Sequence, residues 1–248
     1  MSKSYSPAWR LFTVILFRPV IHVLVRNKWG GRENIPKQGP VILAPNHMSY
    51  LDWGTDSVFF YASGRYPTFM IKASAFKVKF IGKLLYGCGQ IPVNRGRSDA
   101  AQALKQAEQA LAEGAAVIVY PEGTATRDPE LWPMEAKTGV ARLALATGAP
   151  VIPVARWGTQ NVLPYGSKKL SWWPRQTVRT VAGPPVDLSE WAGKPTSARA
   201  LRAATDAIMA DVTALLATIR DEEPPAVPFD RDKSIPAKPA EGTDAANS

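Results

Sequence analysis

Short apolar runs and longer amphipathic stretches alternate along most of this 248-residue chain, and the alternation predicts its elements. Val41–Ala44 reads as a buried strand between Pro40 and Pro45, followed by a helix across residues 50–63. A strand over Thr68–Ile71 comes next, then a mixed basic and apolar helix through "FKVKFIGKLLYGCG" that stops at the glycines. After the extended "QIPVNR", the stretch "SDAAQALKQAEQALAEG" is the clearest helix: Ser98 or Asp99 caps it, alanine and glutamine favour it, and Gly114 ends it. A buried strand at Ala116–Tyr120 breaks at Pro121, "KTGVARLALATG" predicts a helix to Gly148, and "APVIPVARWG" a further strand. Thr177–Ala182 adds one more strand, and a long terminal helix places Leu201, Ala204, Ile208, Val212 and Leu215 or Leu216 on one side.

Apolar strands that alternate with helices predict an α/β fold: a single domain with a mixed, mostly parallel sheet covered by helices. Residues 28–220 form that domain in this reading, with residues 1–27 as an N-terminal apolar helical segment and residues 221–248 as a disordered tail, proline-rich and poor in aliphatics. In "WRLFTVILFRPVIHVLV" the apolar run is broken by Arg18, Pro19 and His22, and Leu11–Val25 falls short of the roughly 20 residues of a bilayer-spanning helix. No small-residue cleavage pattern follows it. The expectation is a membrane-associated interfacial helix or helical hairpin rather than a secretory signal, with packing against the domain as the alternative.

Composition narrows the partners. The chain is 46% apolar and 21% charged, as in globular proteins, with a net charge of +9. The excess lies in residues 1–100, where fourteen basic side chains stand against four acidic ones. Such a field suits phosphate metabolites, anionic lipid surfaces or nucleic acid. The eight tryptophans are scattered rather than interleaved with the basic residues, which argues against nucleic acid. A non-enzymatic peripheral membrane or nucleic-acid-binding protein stays as the remote alternative. Cys88 is the single cysteine; it excludes an intrachain disulfide or a thiolate metal cluster and reads as a small buried side chain.

Three polar segments sit at predicted strand ends, where sites in such sheets collect: "PNH", "VNRG" and "YPEGTAT". Of two histidines, His47 is the one placed for general base chemistry. Within a continuous helix His47 and Asp52 would lie about 140° apart, so they pair only if His47 precedes the helix on a loop. The carboxylate then accepts the Nδ1 proton and leaves Nε2 free for a hydroxyl proton. Spacing alone leaves open a histidine that caps the helix beside an unrelated aspartate. Glu122, Gly123 and Thr124 form a tight turn whose amides and hydroxyl can meet an oxyanion, or a turn and nothing more. The turn lacks the glycine spacing and lysine of a phosphate-binding P-loop. Arg95 and Arg97 offer a phosphate fork or plain surface charge.

"NHMSYLDW" resembles the histidine, four residues, aspartate block of the glycerolipid acyltransferases, the family of 1-acylglycerol-3-phosphate acyltransferases. The likeness continues in order through "GQIPVNRG", "VYPEGT" and "VIPVARWG" and covers roughly residues 28–190. It implies that His47 is the general base and Asp52 its orienting partner. Asn94 and Arg95 match the block that holds the acceptor phosphate, Glu122, Gly123 and Thr124 the block tied to acceptor binding and site shape, and Pro153 the block near the acyl donor; Lys72 and Arg127 are further candidates for the phosphate. One departure stands out: members commonly carry arginine then serine after "EGT", where this chain has Ala125 and Thr126, with Arg127 displaced by two.

The implied reaction moves a fatty acyl group from acyl-CoA or acyl carrier protein to the hydroxyl of 1-acylglycerol 3-phosphate in phospholipid synthesis. Alternative acceptors are glycerol 3-phosphate and a glycolipid such as a phosphatidylinositol mannoside. No metal or other cofactor is expected, and no acyl-enzyme, because the thiolate is already a competent leaving group. The expected partners are the acyl donor, a lysophospholipid or other polar lipid, and an anionic membrane surface. The expected place is the cytoplasmic face of the cell membrane, as a peripheral or monotopic protein.

Overall fold

The protein is described by a computed structural model over residues 5–94, 97–167 and 169–230. Seven strands form one sheet: β1 (Val25–Gly30), β2 (Val41–Pro45), β3 (Pro67–Lys72), β4 (Ile91–Val93), β5 (Ala116–Ile118), β6 (Val151–Trp157) and β7 (Gln176–Ala182). They lie in the order β1-β7-β6-β2-β5-β3-β4. Every pairing is parallel except β6 with β7. The C-terminal ends of β2, β3, β4, β5 and β6 therefore share one edge of the sheet.

Helices cover both faces. On one, α4 (Arg97–Ala112), α5 (Gly139–Thr147) and α6 (Ala198–Arg220) pack on Ile42, Ala44, Val117 and Val151. On the other, α2 (Asp52–Ala62) sets Phe59 and Phe60 against Val41, Leu43, Ile118, Ile152 and Val154. Alternate residues of one strand thus enter different cores, which is why β2 reads as an unbroken apolar run and is buried along its whole length. Each such side chain contributes about 1.5–3 kcal/mol by leaving water, and the strand end that carries Asn46 and His47 is fixed accordingly.

The N-terminal segment takes the first of the two expected forms, a helix, but is longer than expected. Pro7–Leu24 is one 18-residue helix, α1, with Pro19 inside it, and not a hairpin. At about 27 Å it is long and apolar enough by length and composition to reach across hydrocarbon. It runs straight into β1, which pairs with β7 along its whole length, so residues 25–27 belong to the sheet and the domain begins at Val25. Ile21 packs with Leu51, Val58 and Val178. The opposite stripe of α1, Leu11, Phe12, Ile15, Leu16, Val20 and Val23, is exposed.

Two other boundaries move. The helix expected over residues 76–89 splits into a turn at Ala73–Lys77 and α3 (Lys79–Gly87), because the backbone is extended at Val78 between them; α3 then packs so closely on the turn that an added Cβ at Gly82 would stand 2.0 Å from the Phe76 carbonyl. Of the tail expected to be disordered from residue 221, the part to Asp230 is described, and Phe229 pairs with Met134, its carbonyl accepting from the Glu135 N–H. Residues 231–248 lie outside the described residues.

Candidate active site

Asn46 holds the end of β2 to β6. Its side chain donates to the Arg156 carbonyl at 3.1 Å and accepts from the Arg156 N–H at 2.8 Å. The chain leaves the sheet there, and His47 stands on the loop before α2, as its pairing with Asp52 requires. Both backbone groups of His47 are tied: its N–H donates to Glu122 Oε1 and its carbonyl accepts from the Thr126 N–H. The ring lies nearly parallel to that of Tyr120, with centroids 4.5 Å apart.

Asp52 opens α2 and is fully buried. Its Oδ2 sits 2.7 Å from His47 Nδ1 and also accepts from the Met48 and Ser49 N–H groups. Its Oδ1 accepts from the Thr159 hydroxyl at 2.6 Å, with an Arg156 nitrogen 3.5 Å away. Burial alone would raise this carboxyl, but the Arg156 charge, together with the bonds from His47 and Thr159, brings it down to about 2. Asp52 is therefore ionised at neutral pH, beside an imidazole side chain that is 19% exposed.

The turn after β6 supplies Thr159. Gly158 has φ 114°, and a Cβ there would stand 2.2 Å from the Thr177 carbonyl, so only glycine makes this bend. Arg156 is itself completely buried; it donates to the carbonyls of Asp52 and Asn46 and reaches Asp56 at 3.1 Å. Asp56 also accepts from the Tyr120 hydroxyl at 2.7 Å.

The expected site residues separate into groups. Gly123 (φ 71°) and Thr124 are in the turn after β5, where the Thr124 hydroxyl meets that of Tyr165 at 3.3 Å. Lys72, the last residue of β3, Asn94, just past the end of β4, and Arg127 beyond the turn are exposed on the same edge. Arg95 lies outside the described residues.

Two assignments need correction. Glu122 cannot present its carboxyl to an acceptor: it is fully buried, with Oε1 on the His47 N–H and Oε2 on the Met134 N–H. Pro153 is buried within β6, and its ring lies toward Gly183 and Leu215 of α6, on the sheet face opposite α2, the helix that Asp52 opens.

Sequence reasoning missed Asn46, Asp56, Tyr120, Arg156 and Thr159. A signal existed for two of them. Asp56 follows Asp52 by one helical turn, and Arg156 is a charge inside an otherwise apolar strand, which a buried position tolerates only when paired. The cleft bounded by Tyr66, Gln90, Gln106 and Glu113 opens at the opposite edge of the strands and contains none of these groups.

Comparison with known proteins gives the family and the fold. The acyltransferase family model matches residues 26–157, which contain His47, Asp52, Glu122 and Arg156. A chloroplastic 1-acyl-sn-glycerol-3-phosphate acyltransferase of Brassica napus is 33% identical over 141 residues, 56% of this chain and 39% of that protein. The 1-acyl-sn-glycerol-3-phosphate acyltransferase of Borreliella burgdorferi is 34% identical over 133 residues, 53% of this chain and 51% of that one. The chain thus spans about two-fifths to half the length of these relatives. The crystal structure of the 1-acyl-sn-glycerophosphate acyltransferase of Thermotoga maritima has the same fold, with a TM-score of 0.64 and 22% identity over 87% of this chain and 83% of that one. With the family model matched over more than half its residues, the chain belongs to the acyltransferase family.

Proposed function

We propose that the protein transfers a fatty acyl group from a thioester, acyl-CoA or acyl carrier protein, to the free hydroxyl of 1-acylglycerol 3-phosphate, as a step in phospholipid synthesis. The observation that carries this reading is the 2.7 Å contact of His47 Nδ1 with buried Asp52, which directs Nε2 of a partly exposed ring outward. His47 Nε2 takes the hydroxyl proton as the acceptor oxygen attacks the thioester carbonyl. The tetrahedral oxyanion then collapses, the C–S bond breaks, and the proton on His47 neutralises the departing thiolate. Asp52 holds the tautomer and stabilises the imidazolium between the two steps. Lys72 and Arg127, with Asn94 and Arg95, bind the acceptor phosphate. No metal or further cofactor takes part.

The substrates are lipids, and the apolar surface suits their source. Trp9 of α1 stands edge-on to Phe80 of α3 at one end of the helix. At the other end Arg175 donates to the His22 and Val25 carbonyls, and Trp172 and Trp173, a few positions before it in the chain, are exposed. The exposed stripe of α1 lies between these ends. Such a face, beside a basic N-terminal half, seats the protein on the anionic cytoplasmic leaflet as a monotopic or peripheral enzyme.

A mass-spectrometric assay tests the reading. Purified protein with palmitoyl-CoA or oleoyl-CoA is offered 1-acylglycerol 3-phosphate, glycerol 3-phosphate and a phosphatidylinositol mannoside in parallel, with His47→Ala as control. Product from the first acceptor alone, lost in His47→Ala, is the expected result. His47-dependent product from another acceptor would replace the substrate, and equal product from the variant would remove His47 from the mechanism.

A further inference from the structure

Behind the dyad lies a second layer of charge that the general base scheme does not use. Asp56 is one turn along α2 from Asp52, and both carboxylates are fully buried. One guanidinium serves both: Arg156 of β6 stands 3.1 Å from Asp56 and 3.5 Å from Asp52. Tyr120, two positions past β5, closes the circuit, with its ring stacked on His47 and its hydroxyl donating to Asp56 Oδ2. The other groups around this cluster are Glu122, bonded to the His47 backbone, the Thr159 and Thr55 hydroxyls, and, farther along the chain after β5, Asp128 and Lys137.

For stability alone this is a poor arrangement. Asp56 Oδ1 and Arg156 Nε are buried and have no hydrogen-bond partner among the described residues. Its charge balance gives it another use. Arg156 by itself would cancel the negative charge of Asp52, and with it the field that favours a proton on His47. A second carboxylate restores that charge.

We propose that Asp56, linked to Asp52 through Arg156 and to His47 through Tyr120, is a positioning residue that keeps the buried cluster one unit negative. The cluster then becomes neutral when His47 accepts the hydroxyl proton. Two carboxylates and one guanidinium before proton transfer become two carboxylates, one guanidinium and one imidazolium after it. Burial pushes the Asp56 carboxyl up, and Arg156 with the Tyr120 hydroxyl holds it to about 6, so it is charged at neutral pH. The inference rests on the reading of His47 as the base.

The chain has two histidines, so NMR titration of the imidazole Cε1–H groups in the full-length protein gives two curves, and His47→Ala identifies which is which. In Asp56→Asn the His47 curve moves to lower pH by about one unit, the effect expected of a nearby buried charge, while that of His22 stays in place. The acid limb of kcat/KM for acyl transfer moves with it, the acceptor KM does not change, and Asp56→Glu restores both. Tyr120→Phe keeps the ring on His47 but removes the donor to Asp56, and gives a smaller shift in the same direction; it carries the test if Asp56→Asn does not fold. A His47 curve that superimposes on wild type in a folded variant overturns the inference. Absence of His47-dependent transfer in the wild type overturns the acyltransfer reading instead, and leaves the titration result standing by itself.

Discussion

Trp53 packs edge-on against Phe17 with ring centroids 5.3 Å apart, and it is the residue that follows Asp52. The helix with the exposed apolar stripe is thus joined to the first turn of α2, where the dyad carboxylate sits. Phe17→Ala removes an aromatic pair worth about 0.5–1.5 kcal/mol and loosens α1 from the domain. Transfer to an acceptor embedded in vesicles falls several-fold, while transfer to a short-chain, water-soluble acceptor changes little. Equal losses with both acceptors would mean that α1 supports the fold and does not deliver substrate.

The Asp52 carboxylate can be weakened in steps. Thr159→Val removes the 2.6 Å bond to Oδ1 and leaves His47 and Arg156 in place. A charged acceptor that loses one donor costs about 1.5–3 kcal/mol, so kcat falls about ten- to a hundredfold with the acceptor KM unchanged. Asp52→Asn goes further: it loses the charge, disturbs the histidine tautomer and leaves Arg156 with one carboxylate. It lowers kcat by about three to four orders of magnitude and also lowers Tm. If Thr159→Val matched wild type in steady-state kinetics, the hydroxyl would have no part in holding the carboxylate.

The difference between these two variants also shows what the sequence could tell. His47 and Asp52 lie five positions apart, and a local geometric argument pairs them once the loop is placed before α2. The partners of Asp52 from β6 onward are more than a hundred residues away, at Arg156 and Thr159, and no spacing rule reaches that far. The central strands were legible because burial on both faces makes them continuously apolar. The outer strand β1 was not: "VRNKWG" has exposed Arg26 and Lys28 and follows an apolar helix without a turn, so its pairing with β7 leaves no local signature. Glu122 was legible as a site residue but given the wrong partner, since its sequence position shows a turn and not the backbone N–H groups that fold onto it.

Lys72 and Arg127 test the acceptor end. Both are exposed on the edge of the sheet that holds His47, and Arg127 supplies positive charge two positions after buried Ala125. Each replacement by alanine raises the KM for a phosphate-bearing acceptor about three- to tenfold, and the double variant multiplies the two effects. An acceptor of the same acyl chain without the phosphate shows no loss. Steady-state kinetics with the matched pair of acceptors decides the matter: loss with both would place these cations on the donor or on the fold.

Glu122 links the fold to pH. Burial pushes its carboxyl up to about 8, against the N–H donors of Met134 and His47, which favour the charged form. The folded state therefore holds a proton that the unfolded chain releases near 4.5, so this contribution to stability is complete below 4.5 and is lost as pH rises through about 8. Asp56, raised to about 6, acts with the same sign but is spent by that pH, so a loss between pH 6 and 8 belongs to Glu122. Over the whole window the loss is on the order of a few kcal/mol. Glu122→Gln stays neutral and flattens the profile above pH 6, although its amide NH₂ must face a backbone N–H and lowers stability at every pH. Urea unfolding of wild type and variant from pH 5 to 9 measures both effects. Parallel profiles would show that Glu122 is ionised in the fold across the whole range, and that the two backbone donors outweigh its burial.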